Sequence, residues 1–272
     1  MEVGLGTGEI SEYGVTASIR ILKKITIRLG TGFYATRVIL KNIGCLKKMN
    51  LNNITATVLV KNESYFIKSV LAPLKKYLFE VIVFDTGSED DTAKIAEDMG
   101  CIVVRKGVST PKQLCHYRTE MGGMTATDWV FICDGDELYT DWTFEKIAKT
   151  DMPDGKQLGF TLMVSVDYKD GEFWTLNDPF SRTAIYPRDT TFSGDYPFEI
   201  PSLFGDSSKY FYFDVPTGYH LHRLVRSPYD EKVYLRNKKR FLFSMQEHPN
   251  MKFVETVQLP LVKHNPYTRG EI

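Results

Sequence analysis

"WVFICDGDELYT", residues 129–140, sets Val130, Phe131, Ile132 and Cys133 directly before Asp134-Gly135-Asp136-Glu137. A short continuous apolar run is the pattern of a strand buried on both faces. Carboxylates at the tip of such a strand are held rigidly, and two of them one residue apart can face the same point. The stretch therefore joins fold and function in one question: which sheet carries this strand, and which positive charge its carboxylates meet.

Working outward, "ITATVLV" (54–60), "EVIVFD" (80–85) and "CIVVR" (101–105) have the same buried-strand character. Between them lie helical patterns. "ESYFIKSVLAPLKKYL" (63–78) has apolar residues at helical spacing, and Pro73 is expected to kink or shorten it. "SEDDTAKIAEDMG" (88–100) reads as a helix with Ser88 as cap, an acidic first turn and a terminal glycine. "PKQLCHYRTEMGGM" (111–124) reads as another. Strands separated by helices of this length predict right-handed crossovers and a parallel sheet covered on both faces. Ligands of such sheets bind outside the carboxyl ends of the strands.

That rule gathers Glu63, Asp85, Asp134 and Asp136 around one expected crevice. So many carboxylates repel each other unless a cation or hydrogen-bond donors offset them. A hard divalent ion, Mg²⁺ or Mn²⁺, answers this economically and keeps coordination sites for substrate phosphates. The expected ligand is then a diphosphate.

Composition narrows the partners. Lys+Arg and Asp+Glu balance at 34 each, so net charge does not advertise a nucleic acid or a membrane. Cys45, Cys101, Cys115 and Cys133 form no CxxC pair and read as free thiols of a reducing compartment. No apolar run approaches the roughly 20 residues that span a bilayer. With no signal-peptide pattern either, a cytoplasmic location is expected. Residues 1–48 read as a basic N-terminal extension, with Glu2, Glu9 and Glu12 against eight Lys and Arg residues up to Lys48. Its "GLGTGE" and "RLGTGF" read as flexible glycine loops, since neither continues into a phosphate-loop Gly-Lys-Ser/Thr. Met49 opens the expected catalytic domain, 49–272, with a donor half (49–142) and an acceptor half (143–272).

"TATVLVKNE", "EVIVFDTGSEDDTAKIAEDMG" and "DWVFICDGDELYT", in that order and spacing, resemble a family-2 glycosyltransferase of the GT-A fold. More narrowly they are similar to the bacterial branch of lipopolysaccharide-core and peptide S-glycosyltransferases. The resemblance is close over about residues 54–142. It implies a Rossmann-like, mostly parallel central sheet flanked by helices, with a mixed C-terminal acceptor-side region. It also implies roles. Asp85 stands where the family binds the base or ribose, and Glu63 where the first strand meets the nucleoside. Asp136 stands at the position of direct metal ligation, and Asp134 at that of ribose and metal-bound water. Glu137 extends the motif. Arg118 takes the place of the Arg in a nucleotide-contacting Arg-Asn pair, although Thr119 replaces the Asn here.

The second half carries fewer signals. "GKQLGFTLMVSVDYKDGEFWTL" reads as a hairpin turning at Lys169-Asp170-Gly171. "FSRTAIYPRDTTFSGDYPFEIPS" is similar to the branch's stretch of Arg, strand, Gly and His-Glu, with Arg182, Gly194 and Glu199 present and Phe198 in the histidine's place. Glu199 is the candidate base, because an inverting transfer needs a carboxylate to take the acceptor proton. His220 and His222 alternate, so both face one side if they lie on a strand, and one of them completes the metal site or touches the diphosphate. Lys232 and Arg236 match a family helix and are candidates for diphosphate or acceptor contact.

The expectation is a metal-dependent, inverting glycosyltransferase moving a sugar from a nucleotide-diphosphate donor to a glycan, a peptide or a modified nucleic-acid base. Two other classes compete. A haloacid-dehalogenase-type phosphatase also ends a strand in Asp-x-Asp, but Leu138 stands where it needs Thr or Val. A catalytically silent glycan- or nucleic-acid-binding protein of the same fold is the other.

Overall fold

The computed structural model describes residues 47–152, 158–169, 172–177, 179–224, 226–229 and 253–256. The chain divides into two compact units, 1–45 and 46–272, and every described residue lies in the second. The glycine loops and basic extension of 1–46, and Lys232 and Arg236, therefore lie outside the described residues.

In chain order the elements are β1 (Lys47–Lys48), β2 (Ile54–Val60), α1 (Ile67–Tyr77), β3 (Glu80–Asp85), α2 (Thr92–Asp98), β4 (Ile102–Arg105), α3 (Pro111–Met124) and β5 (Trp129–Asp134). They continue with β6 (Glu137–Tyr139), α4 (Asp141–Lys149), β7 (Asp151–Met152), β8 (Leu158–Lys169), β9 (Glu172–Leu176) and β10 (Phe180–Pro187). The last are β11 (Phe192–Ser193), β12 (Ile200–Pro201), β13 (Tyr210–His220) and β14 (Phe253–Thr256).

β2 lies at the centre because all seven of its residues are buried and β-branched or apolar. It pairs in parallel with β3 on one side and β5 on the other, and β3 pairs in parallel with β4. The main path of this ten-stranded sheet is β14-β9-β8-β10-β5-β2-β3-β4, with β10 antiparallel to β5 and with β13 off the path, paired with β8 and β6. This is the GT-A arrangement: a Rossmann-like parallel half joined to a mixed half. Thr55 and Thr57 are fully buried in β2, and Thr55 satisfies its hydroxyl on Glu80 Oε1 at 3.0 Å. Phe131 packs edge-on against Tyr139, ring centroids 4.7 Å apart, and Phe144 closes the group. Within the described residues no helix is long and apolar enough to cross a membrane.

Three local expectations change. The helix expected over 63–78 begins at Ile67, because Glu63–Phe66 form a turn in which the Phe66 and Ile67 N–H groups both donate to Glu63 O. Pro73 sits inside that helix and does not end it. The helix expected from Ser88 begins at Thr92, and Ser88 Oγ instead accepts from Asn62 N at 2.9 Å. The hairpin holds, with Lys169 opposite Glu172, while Asp170 and Gly171 lie outside the described residues.

Candidate active site

Register explains how distant residues reach the tip of β5. β10 runs antiparallel to β5 with Ile185 opposite Phe131. Beyond an irregularity between Thr183 and Ile185, Arg182 of β10 comes within reach of Asp134 at the end of β5. Leu59 is paired with Asp134, so by strand alternation Asp134 shares the sheet face of Leu59, which packs on Met121 of α3. Arg118 stands one helical turn before Met121 and reaches the same carboxylate. Arg118 Nη2 donates to Asp134 Oδ1, and Arg182 Nη2 donates to Asp134 Oδ2 at 3.1 Å. Arg118 Nε also donates to Glu199 Oε1 at 3.3 Å, while Arg182 Nε stands 2.6 Å from Glu137 Oε1. Arg118 is 1% exposed, so it is an internal bridge between Asp134 and Glu199.

The second aspartate has its own set. β13 lies antiparallel to β6 with His220 opposite Glu137, and Leu221 N donates to Asp136 O at 2.7 Å. His220 Nε2 thereby comes 3.6 Å from Asp136 Oδ2, and the His220 and His222 rings stand 4.1 Å apart. Arg226 Nη1 donates to Asp136 Oδ2 at 2.7 Å and to Glu63 Oε1 at 2.6 Å. The glycine between the aspartates is required by this packing: a Cβ on Gly135 would lie 2.6 Å from Glu63 Cγ.

These contacts set the charges. Burial alone would raise the Asp134 carboxyl, but Arg118 and Arg182 hold it below its ordinary range. Burial also opposes ionisation of Asp136, and Arg226 and His220 outweigh it, leaving that carboxyl far below the usual range. Glu137 moves the other way: burial, aided by the Asp134 charge and resisted by Arg182, pushes it up to about 7. Burial disfavours protonated His220, but Asp136 more than compensates and its pKa is raised. Burial and then the neighbouring His220 push His222 down to about 3. Of the two histidines, His220 is the one within ion-pair distance of Asp136.

The other strand end is separate. Asp85 is paired with Val60, whose neighbour Leu59 is paired with Asp134, so the two aspartates end strands on either side of β2. Asp85 Oδ1 accepts from Ser88 N at 3.2 Å. The loop beyond it is tied to the end of β2. Glu63 N donates to Thr92 Oγ1 at 2.7 Å, Ser64 N to Asp90 Oδ2 at 3.1 Å, and Glu89 N to Asn62 Oδ1 at 2.8 Å. Asn62 holds a left-handed φ of 57° to make these contacts.

The structure therefore brings Glu63, Arg118, Asp134, Asp136, Glu199 and His220 into one linked cluster, with His222 beside it, while Asp85 is held by Ser88 N at the end of the strand on the other side of β2. Arg182, marked in the sequence only as part of a matching stretch, and Arg226, which no sequence motif marks, are central to it. Tyr196 belongs near it as well, since the charge of Asp134 and then burial drive its hydroxyl far above the usual pKa. Among the described residues no three His, Cys, Asp or Glu side chains are arranged to hold a metal ion. The donor set of Asp136 and His220 suits an ion that takes its remaining ligands from a bound diphosphate, as Mg²⁺ and Mn²⁺ do.

Known proteins are similar to parts of this chain. SunS, the SPbeta prophage-derived glycosyltransferase of Bacillus subtilis, is 31% identical over 103 residues, which are 38% of this chain and 24% of that protein. An uncharacterised glycosyltransferase of Rickettsia conorii is 34% identical over 95 residues, 34% of this chain and 32% of the relative. The match thus spans a quarter to a third of the length of these relatives. Among solved structures, Staphylococcus aureus TarS aligns with a TM-score of 0.43 and 15% identity over 71% of this chain and 73% of its own. Glucosyl-3-phosphoglycerate synthase of Mycobacterium tuberculosis, solved with Mn²⁺, uridine diphosphate and phosphoglyceric acid, aligns with a TM-score of 0.34 and 24% identity over 44% of each chain. The family model for glycosyl transferase family 2 matches residues 56–214, the span from β2 into β13 that builds most of the cluster. The chain belongs to glycosyl transferase family 2.

Proposed function

We propose that this protein is a metal-dependent, inverting glycosyltransferase that takes a sugar from a nucleotide-diphosphate donor. The observation that carries the reading is the cluster at the carboxyl end of the sheet, where Asp134 and Asp136 meet Arg118, Arg182, Arg226 and His220. Ionised carboxylates beside cationic N–H groups suit a ligand that brings both phosphates and a divalent cation.

In this reading Asp136 and His220 hold the ion, Mn²⁺ or Mg²⁺. When bound, the ion supplies Lewis-acid charge to the departing diphosphate. Arg182 and Arg226 present guanidinium N–H groups to developing negative charge, in a site already organised for it. Asp85 and Glu63 hold the nucleoside, and Asp134 holds the ribose. Glu199 takes the acceptor proton: its Oε1 accepts from Arg118 Nε, which fixes the carboxylate, while Oε2 serves as the base. Proton removal on one side of the sugar and diphosphate departure on the other require no covalent enzyme intermediate. Lys232 and Arg236 remain candidates for diphosphate or acceptor contact. The acceptor is a glycan, a peptide or a modified nucleic-acid base.

Arginines on both oxygens of Asp134 speak against the phosphatase reading, in which that oxygen attacks phosphorus. The test is a survey of nucleotide sugars, scored by thermal stabilisation in Mn²⁺ and by release of nucleoside diphosphate. At least one donor should register in both. Phosphate release from small phosphoesters with no response to any nucleotide sugar would overturn the proposal.

A further inference from the structure

Arg226 differs from the other cluster arginines in where it stands. Arg118 projects from α3 and Arg182 from β10, so both are fixed by regular structure. Arg226 lies beyond the end of β13 in a segment of turns, with its backbone pinned through Tyr65 N donating to Arg226 O at 3.0 Å. Its Nη1 also makes an unusual contact, bridging Glu63 Oε1 at 2.6 Å and Asp136 Oδ2 at 2.7 Å.

That bridge occupies the Asp136 oxygen nearest His220, the one an ion held by both side chains would use. His220 Nε2 and Arg226 Nη1 both approach Asp136 Oδ2. A divalent ion bound to that oxygen lies about 2.0–2.6 Å from it, within the sector the guanidinium fills. Two cations crowded on one buried oxygen repel strongly in a low-dielectric site. They exclude each other.

We infer that Arg226 is a resident counter-cation, which neutralises Asp136 and Glu63 until a divalent ion displaces it and which then pairs with the incoming diphosphate. This rests on the metal-dependent reading above and adds a consequence to it. The ion competes with Arg226 when it arrives alone, whereas a diphosphate arriving with it gives the displaced guanidinium a new partner. Binding of metal and diphosphate is thereby coupled through one side chain.

The experiment is a pair of titrations on the full chain. In the first, Mn²⁺ alone is titrated and free Mn²⁺ is read by electron paramagnetic resonance, for the wild type, Arg226→Met, Arg226→Lys and Asp136→Asn. Removing the competitor should tighten Mn²⁺ binding about tenfold or more in Arg226→Met, the size of one ion-pair competition relieved. Arg226→Lys should fall between that variant and the wild type, and it carries the test if the methionine variant does not fold. In the second, inorganic pyrophosphate is titrated in saturating Mn²⁺, where Arg226→Met should bind about tenfold more weakly than the wild type. Equal or weaker Mn²⁺ binding by the Arg226 variants, with binding still abolished by Asp136→Asn, overturns the competition and leaves the metal site standing. Unchanged pyrophosphate affinity overturns the hand-over. Mn²⁺ binding that survives in Asp136→Asn, or is absent from every chain, overturns the metal reading and this inference with it.

Discussion

The loop after β3 and the loop after β5 end parallel strands on either side of β2, and both are crowded with carboxylates. Asp85 and Asp90 are met by backbone N–H groups and hydroxyls from nearby loops: Ser88 N, Ser64 N and Thr92. Asp134, Asp136 and Glu137 are met by guanidiniums from α3, from β10 and from the turns after β13. Neutral donors hold a loop in shape without adding charge. Arginines add positive charge that a phosphate ligand can also use. On the proposed reading the difference divides the labour between the strand ends: one loop is held in shape by neutral donors, the other exchanges counter-ions.

The sharpest way to break this contrast is at Arg118. Replacing it with Met leaves Asp134 short of one guanidinium and Glu199 without its internal partner. Breaking a buried pair from one side costs about 3–5 kcal/mol. Denaturant unfolding of Arg118→Met should show a loss of that order. A loss below about 1 kcal/mol would mean that the bridge is a solvated surface pair.

Asp85 tests whether its loop does more than hold shape. In the proposed role, Asp85→Ala lowers nucleoside-diphosphate affinity roughly ten- to a hundredfold, from the loss of a charged hydrogen bond worth about 1.5–3 kcal/mol. Mn²⁺ binding stays unchanged, since Asp136 lies beyond another strand. Unchanged nucleotide affinity beside a lowered melting point would leave Asp85 as an acceptor for Ser88 N alone.

The smallest effect is expected at Asp90. It accepts from Ser64 N and Thr92 N, so Asp90→Ala should cost about 1 kcal/mol, as for a helix cap. Burial would raise its carboxyl, yet the hydrogen bonds from Ser227, Thr92 and Ser64 hold it below its ordinary value of 3.8. A depressed folded-state pKa means stability that is present above the unfolded value and lost as pH falls through the folded one. The wild-type advantage over Asp90→Ala should therefore persist at pH 6 and shrink progressively below about pH 4. An advantage independent of pH would show that the carboxylate's charge is irrelevant to the loop.

The same contrast explains what the amino-acid sequence reveals. Helix α3 runs over 111–124 as its sequence predicts, because Thr110 and Pro111 punctuate its start and Gln113 completes a capping box. The strands β2, β3 and β5 are legible from composition alone, and the carboxylates stand at their tips. The start of α2 misleads because Ser88, Asp90 and Asp91 can each cap a helix, and the choice is made by contacts with Asn62 and Ser64. Pro73 is accommodated inside α1, where Ile67, Val70, Leu71 and Leu74 are buried and their packing offsets one missing hydrogen bond. The arginines are least legible. Arg226 meets Asp136 across 90 residues and Glu63 across 163, distances at which no local pattern points from one to the other. Arg182 meets Asp134 across 48 residues and becomes readable only once β10 is known to lie beside β5.

The most direct test of the central claim, that this cluster transfers a sugar from a nucleotide-diphosphate donor with a divalent cation, is donor turnover by the wild type and by Asp136→Asn. With the best donor from the survey and saturating Mn²⁺, the wild type should release nucleoside diphosphate and stop in excess chelator. Asp136→Asn should retain the fold and lose turnover by at least about a hundredfold, the effect of removing one preorganised electrostatic group that stabilises the transition state. Full turnover by Asp136→Asn, or undiminished wild-type turnover in chelator, would contradict the account.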